Sequence, residues 1–134
     1  MATTTATIIL NSVDLLSDEL ALSTSATLTA ADTATGITQA SGLSRKKLAS
    51  GHAEYVLYDG SAYTADKAHK VYLKNTSTTA TEFFLLTVNA EEIGRLYAGD
   101  WALFPWSAHD NDCDIKIDPS AADMVLEHML FVDE

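Results

Sequence analysis

Three carboxylates at alternate positions are the first residues whose type and spacing suggest chemistry. In HDNDCDIKID, Asp110, Asp112 and Asp114 repeat the first, third and fifth ligand positions of an EF-hand calcium loop. The sixth position would be Ile115, where that loop needs Gly, and the twelfth would be Ala121, where it needs a bidentate Glu. Asp and Asn are also common in exposed turns. The pattern therefore favours a solvated turn, with a bound cation as the alternative.

The histidines and the single cysteine are the next candidates for a metal site or for catalysis. They are His52, His69, His109, His128 and Cys113, and no two histidines have the short spacing of paired zinc ligands. The sequence also lacks the G-x-S-x-G nucleophile elbow and the phosphate-binding P-loop. Two carboxylates at hydrolytic separation stay open, because that distance depends on the fold. We expect no metal, no cofactor and no enzymatic activity.

A basic triplet is the one concentration of positive charge in the chain. Arg45, Lys46 and Lys47, in SRKKLAS, are three of the eight basic residues. One interpretation is a solvated loop at a hinge. The other is a docking point for an acidic patch on a partner, since opposite charge steers and registers association.

An aromatic stretch, RLYAGDWALFPW, provides the second candidate interface. As a strand it would place Trp101 and Leu103 on one face, and Phe104 and Trp106 on the other. A core covers one face, so the other would meet a second layer, a subunit or a ligand such as a sugar. Core packing is the favoured interpretation. The candidate partner interface consists of Arg45, Lys46, Lys47, Trp101 and Trp106.

Charge and composition restrict the possible partners. The 134 residues include 19 acidic and 8 basic side chains, which gives a net charge of -11. Such a surface repels phosphate backbones and anionic lipids, so we expect neither a nucleic acid nor a membrane as partner. The single cysteine excludes an internal disulfide. The first residues lack the pattern of a signal peptide, so we expect synthesis in the cytoplasm.

The chain divides into two compositional regions near residue 51. Residues 1–40 contain ten Thr and eight Ala, a composition that disfavours helix and is too poor in large apolar groups for a core. We predict an extended arm with short strands over residues 1–50, lying either on the rest of the chain or on another molecule. Residues 51–134 are predicted to form the folded domain.

The second region has the pattern of an antiparallel sandwich. Short aromatic and β-branched runs alternate with turn residues such as Asp59-Gly60 and Ala98-Gly99-Asp100. The run DMVLEHMLFVD has no clear period, and its composition favours a strand over a helix. The predicted fold is all-β: an antiparallel, jelly-roll-like β-sandwich with an extended N-terminal arm.

The stretch KVYLKNTSTTATEFFLLTVNAEEIGRLYAGDWALFPW and the terminal LEHMLF resemble the β-sandwich of small structural proteins of tailed-bacteriophage virions. The resemblance covers about residues 51–134 and depends on turn motifs rather than a catalytic signature. It implies a non-enzymatic capsid decoration, or cement, protein. Such a protein would be a homo-oligomer, usually a trimer, on the outer surface of the head, where it would reinforce contacts between major capsid proteins. The alternative is a tail, baseplate or fibre protein that adheres through a sugar-binding sandwich.

Overall fold

The computed structural model describes residues 2–49 and 54–134. These residues form antiparallel strands joined by turns, and they contain two short 3₁₀ helices but no α-helix. β-branched and aromatic residues occupy many strand positions, as a pleated, half-buried surface favours. The strands are β1 (Thr5–Ser12), β2 (Leu20–Thr27), β3 (Gln39–Ala40), β4 (Ser44–Leu48), β5 (Tyr55–Tyr58), β6 (His69–Asn75), β7 (Phe83–Val88), β8 (Glu91–Tyr97), β9 (Trp101–Trp106), β10 (Ile115–Pro119) and β11 (Met124–Val132).

Strands β3 to β11 form two sheets that face each other. One sheet has the order β5-β10-β7-β8, and the other has the order β3-β11-β6-β9, with β4 pairing with β11 beside β3. The pairings are antiparallel. One cluster of buried side chains draws members from both sheets, so a single core lies between them. The predicted all-β antiparallel sandwich is therefore confirmed.

Alternation along the central strands fills this core. On β6, Val71 and Leu73 are fully buried, while Tyr72 between them is only partly covered. On β10, Ile115 and Ile117 are fully buried in the same way. Successive side chains of a strand point to opposite faces, so a period of two in the sequence specifies the buried face. The predicted faces of both strands are confirmed.

Two further strand predictions are confirmed. Strand β7 lies between β10 and β8. Phe84 and Leu86 of β7 are buried, and Phe83 and Leu85 on its other face are partly covered. The C-terminal run is strand β11, which pairs with β6 along one side and with β3 and β4 along the other. Its central position accounts for its many apolar residues.

The predicted turn before the aromatic strand carries the chain from one sheet to the other. Strand β8 pairs with β7, whereas β9 pairs with β6 in the opposite sheet. Gly99 has a φ of 83°, a conformation that costs glycine little. The buried Asn75 at the end of β6 spans the same gap, because its side-chain amide donates to the Leu96 carbonyl at 2.9 Å. The turn at Gly99 and the side-chain amide of Asn75 together connect the two sheets at this end of the sandwich.

The extended arm over residues 1–50 is not confirmed. Strands β3 and β4 belong to the five-stranded sheet, and Leu48 is buried in its core. Only β1 and β2 form a sheet of their own. Main-chain pairing with β11 supplies the hydrogen bonds of β3 and β4, and β1 and β2 supply those of each other. The predicted boundary between residues 50 and 51 lies outside the described residues.

The segment between β2 and β3 is anchored by one buried carboxylate. Asp133 Oδ2 accepts the backbone N–H groups of Ala31, at 2.8 Å, and Ala68, at 3.0 Å. Burial opposes the charge of Asp133, but these hydrogen bonds and nearby Lys67 outweigh it, so the pKa of the carboxyl lies below its ordinary value. The carboxylate thus fixes the base of the β1–β2 hairpin to the sandwich.

Replacing Asp133 with Ala should lower the free energy of unfolding by about 1–3 kcal/mol, because two backbone N–H groups lose their acceptor. Chemical denaturation with two spectroscopic probes measures this difference. Asp18→Ala, at an exposed position, is the matched control and should change the value by less than about 0.5 kcal/mol. Equal stability of the two variants would show that the anchor contributes nothing.

Candidate interaction surface

The β1–β2 hairpin has one apolar face and one polar face. Its strands pair in register from Thr5 opposite Thr27 to Ser12 opposite Leu20. Because side chains alternate, one face carries the small and large apolar residues and the other carries hydroxyl groups with Ile9. The apolar face consists of Ala6, Ile8, Leu10, Leu20, Leu22 and Ala26, with the hydroxyl residues Ser12 and Thr24. This pairing was not predicted from the sequence, although the alternate apolar positions 6, 8 and 10 and 20 and 22 are a signal for it.

The base of the apolar face lies over the outer surface of β9. A cavity of about 190 Å³ separates the two, and it is lined by Ala6, Ile8 and Ala26 from the hairpin side and by Leu103 and Pro105 from β9. The hairpin base and the outer surface of β9 therefore form the two sides of an apolar groove. The sandwich therefore covers part of the hairpin face.

The distal half of the hairpin is exposed. Leu10 and Leu22 lie opposite each other and are roughly half exposed. In the connecting loop, Val13, Leu15 and Leu16 are 79%, 70% and 58% exposed. A two-stranded ribbon is only marginally stable by itself in water, and grouped exposed apolar residues of this kind mark interaction sites. This apolar surface is the principal candidate site of the molecule.

The loop at the end of the hairpin, residues 13–19, is acidic as well as apolar; we call it the tip. Asp14, Asp18 and Glu19 are all exposed. Ser12 orders the tip, since its Oγ accepts the Leu15 N–H at 3.0 Å and donates to the Asp14 carboxylate at 3.0 Å. Three carboxylates thus surround three exposed aliphatic side chains.

The basic triplet lies on strand β4 rather than in a hinge loop. Arg45 Nε is 3.1 Å from Glu127 Oε2, and Lys47 Nζ is 3.5 Å from an oxygen of Asp123. Lys46 points the other way, with its Nζ 5.3 Å from the centroid of the Tyr55 ring. The side chains of Arg45 and Lys47 are about two-thirds exposed, so these ion pairs contribute little to stability. The triplet remains available to a partner.

The two tryptophans have different environments. They lie on opposite faces of β9 as predicted; Trp101 is 52% exposed, whereas Trp106 is 4% exposed. The Trp106 Nε1–H donates to the Cys113 carbonyl at 2.8 Å, and its ring packs near Tyr58 and Tyr63. Trp106 is therefore a core residue. Of the two, only Trp101 lies on the surface of the chain where a partner would bind.

A second apolar opening lies where edge strands β8 and β9 face each other. It has a volume of about 330 Å³, and its lining includes Val88, Ile93 and Phe104. Two glutamates, Glu91 and Glu92, precede Ile93 on β8 and are exposed. The opening is therefore apolar inside and bordered by negative charge.

Two of the three carboxylates of the predicted turn, those of Asp110 and Asp114, accept backbone N–H groups. Asp110 Oδ1 accepts the N–H of Asp112 at 2.9 Å, and Asp114 Oδ1 accepts the N–H of Gly60 at 2.7 Å. In the described part of the chain, no three His, Cys, Asp or Glu side chains are grouped as metal ligands would be. His52 lies outside the described residues. The carboxylates thus stabilise turns at this end of the sandwich.

His128 and Tyr58 form a polar pair between the sheets. The Tyr58 hydroxyl is 2.7 Å from His128 Nδ1. Burial raises the pKa of Tyr58 to about 12. Burial, and then the positive charge of Lys46, lower the pKa of His128 below its ordinary value of 6.5. Both groups are therefore neutral at pH 7.

The lowered pKa of His128 should make the fold sensitive to mild acid. The unfolded chain binds the proton more readily, so the stability that His128 contributes is present above about pH 6.5 and is lost as the pH falls through the lower folded pKa. The free energy of unfolding, measured between pH 7.5 and 5, should fall less steeply in His128→Gln than in the wild type. Asn11→Gln, at an exposed site without a titrating group, is the control and should keep the wild-type slope. Parallel curves for the wild type and His128→Gln would contradict this account.

No protein-family model matches this chain, and neither a curated protein nor a solved structure does. No helix able to span a lipid bilayer occurs in the described part of the chain. The fold and the candidate site define the class of molecule: an all-β sandwich that carries an amphipathic hairpin with an exposed distal half.

Proposed function

We propose that this chain is a non-enzymatic structural protein of a tailed-bacteriophage virion. In this proposal it is a capsid decoration protein that binds the outer surface of the head and stabilises contacts between major capsid proteins. The observation that carries the proposal is the exposed apolar face of the β1–β2 strands, formed by Leu10 and Leu22, which requires a covering surface. The sequence resemblance to small virion sandwiches supports the choice of particle.

The division of the molecule suits such a role. The sandwich has its own core, so it provides a rigid body, whereas the hairpin leaves its large apolar residues exposed. A hairpin anchored at its base by Asp133 can reach a neighbouring surface without disturbing that core. The net charge of -11 favours solubility of the decorated particle and disfavours nucleic acid and membranes as partners.

A tail, baseplate or fibre protein that adheres to sugars is the alternative. The observation that favours it is the exposed Trp101 on the outer face of β9. Trp106 cannot join it in a platform, because its side chain is buried in the core. The alternative therefore depends on one aromatic ring, whereas the decoration role uses the exposed part of the apolar hairpin face.

Removal of the hairpin should abolish attachment and preserve the sandwich. The Leu28 N–H donates to the Thr4 carbonyl at 2.9 Å, so residues 5–27 can be replaced by an Asn-Gly turn. The shortened chain should keep its near-ultraviolet circular dichroism and lose co-sedimentation with undecorated heads of the phage that encodes it. Undiminished co-sedimentation would contradict the proposal, and unfolding would show that the hairpin belongs to the core.

A finer version of this experiment changes only the apolar face. Leu10→Ser with Leu22→Ser should weaken head binding at least about tenfold, since burial of two half-exposed leucines contributes more than about 1.4 kcal/mol. The matched control, Asn11→Ser with Ser23→Thr, alters the opposite face of the same hairpin and should bind like the wild type.

A further inference from the structure

We infer that copies of this chain associate head to tail, with the tip of one copy docked on strand β4 of the next. This inference rests on the proposed assembly of several copies and names the contact between them. The tip combines exposed aliphatic side chains with three carboxylates. Strand β4 presents Arg45 and Lys47 on one face and Lys46 on the other, with the exposed Leu43 directly before it. The two surfaces are complementary both in charge and in apolar character.

The contact cannot form within one copy in the observed fold. Leu15 and Leu16 at the tip are mostly exposed, and so are Arg45 and Lys47 on β4. Surfaces that met each other would be covered. Both surfaces are therefore exposed, and each is accessible to the complementary surface of another copy.

Position in the sheet also favours β4 as the receiving surface. Strand β4 pairs with β11 along one side, and within the described residues no strand pairs along its other side. Exposed edges of this kind are places where a further chain can add. Lysine and arginine on such an edge repel a second basic edge and attract an acidic segment.

The apolar opening between β8 and β9 is the competing receptor for the tip. Its volume of about 330 Å³ would hold an aliphatic side chain. Glu91 and Glu92 beside it, however, would face Asp14 and Asp18 of the tip, and like charges oppose that contact. Strand β4 carries basic side chains, so its charge favours it as the receptor for the acidic tip.

A head-to-tail contact joins two different surfaces of the molecule. Successive copies are then related by a rotation, which produces a ring if it closes and a filament if it does not. The predicted trimer corresponds to a rotation that closes after three copies. In such a ring each copy uses one tip and one β4, so no complementary surface remains unpaired.

Charge reversal tests the contact in purified protein, without capsids. Variant one is Asp14→Lys, Asp18→Lys and Glu19→Lys; variant two is Arg45→Glu, Lys46→Glu and Lys47→Glu. Sedimentation velocity at low salt should show at least a tenfold weaker self-association for each alone. Association should return when the two variants are mixed, and also in a chain carrying all six changes. The loss should be smaller at 500 mM salt, which screens these charges.

Two further variants keep the test decisive. Reversal on β4 places Glu beside Glu127 and Asp123, so Arg45→Gln, Lys46→Gln and Lys47→Gln test the same surface without that repulsion. Arg95→Glu and Lys116→Glu, on the other sheet, also make the net charge more negative and should not mimic the loss. A monomeric wild type, unaffected association in either reversal, or failure of the six-fold variant to recover would overturn the inference.

Head binding separates this inference from the proposed function. Self-association that follows the charge pattern, without binding to heads, supports the contact and contradicts the decoration role. Head binding by a chain whose tip and β4 do not recognise each other overturns only the contact between copies. The two claims therefore fail through different measurements.

Discussion

Strand β11 forms hydrogen bonds to other strands along both of its sides, and the rest of the structure depends on this double pairing. One side of β11 holds β6 and the central sheet, and the other side holds β3 and β4 from the N-terminal region. Just beyond its end, Asp133 accepts two backbone N–H groups and fixes the segment that leads from the hairpin. The last strand of the chain thus attaches the first third of the chain to the core.

This attachment divides the apolar residues of the N-terminal region into a buried group and an exposed group. Leu28 and Ile37, which flank the anchored Ala31 in sequence, are buried. Leu10, Leu22 and the aliphatic side chains of the tip are exposed. A hairpin has two faces and no second layer, so its distal apolar face can be covered only by another surface. The same chain presents a basic edge strand and an acidic tip. The molecule therefore carries both halves of a contact between copies.

Much of the sandwich could be predicted from local pattern. Val71 and Leu73, or Ile115 and Ile117, alternate with polar residues, and a period of two determines a strand and its buried face without knowledge of its partners. The pairing of β4 with β11 could not be predicted in this way. Arg45, Lys46 and Lys47 carry no apolar period, and their place in the sheet is set by a pairing with residues about eighty positions away.

The candidate site was predicted only in part for a similar reason. Alternation separates Trp101 from Trp106, but it does not say which face of β9 meets the core. That choice depends on the opposite sheet and the segment after β5, where Tyr58 and Tyr63 pack near the Trp106 ring. The apolar hairpin face was visible as alternation in two separate runs, and only their mutual register brings Leu10 and Leu22 together.

Hydrogen–deuterium exchange of the hairpin tests the central claim most directly, because it reports burial of the tip without any substitution. We expect the amides of residues 13–19 to exchange rapidly in the dilute monomer and at least about tenfold more slowly in the assembled state. Equal exchange in both states, with protection appearing elsewhere on the sandwich, would show that the hairpin is not the contact surface.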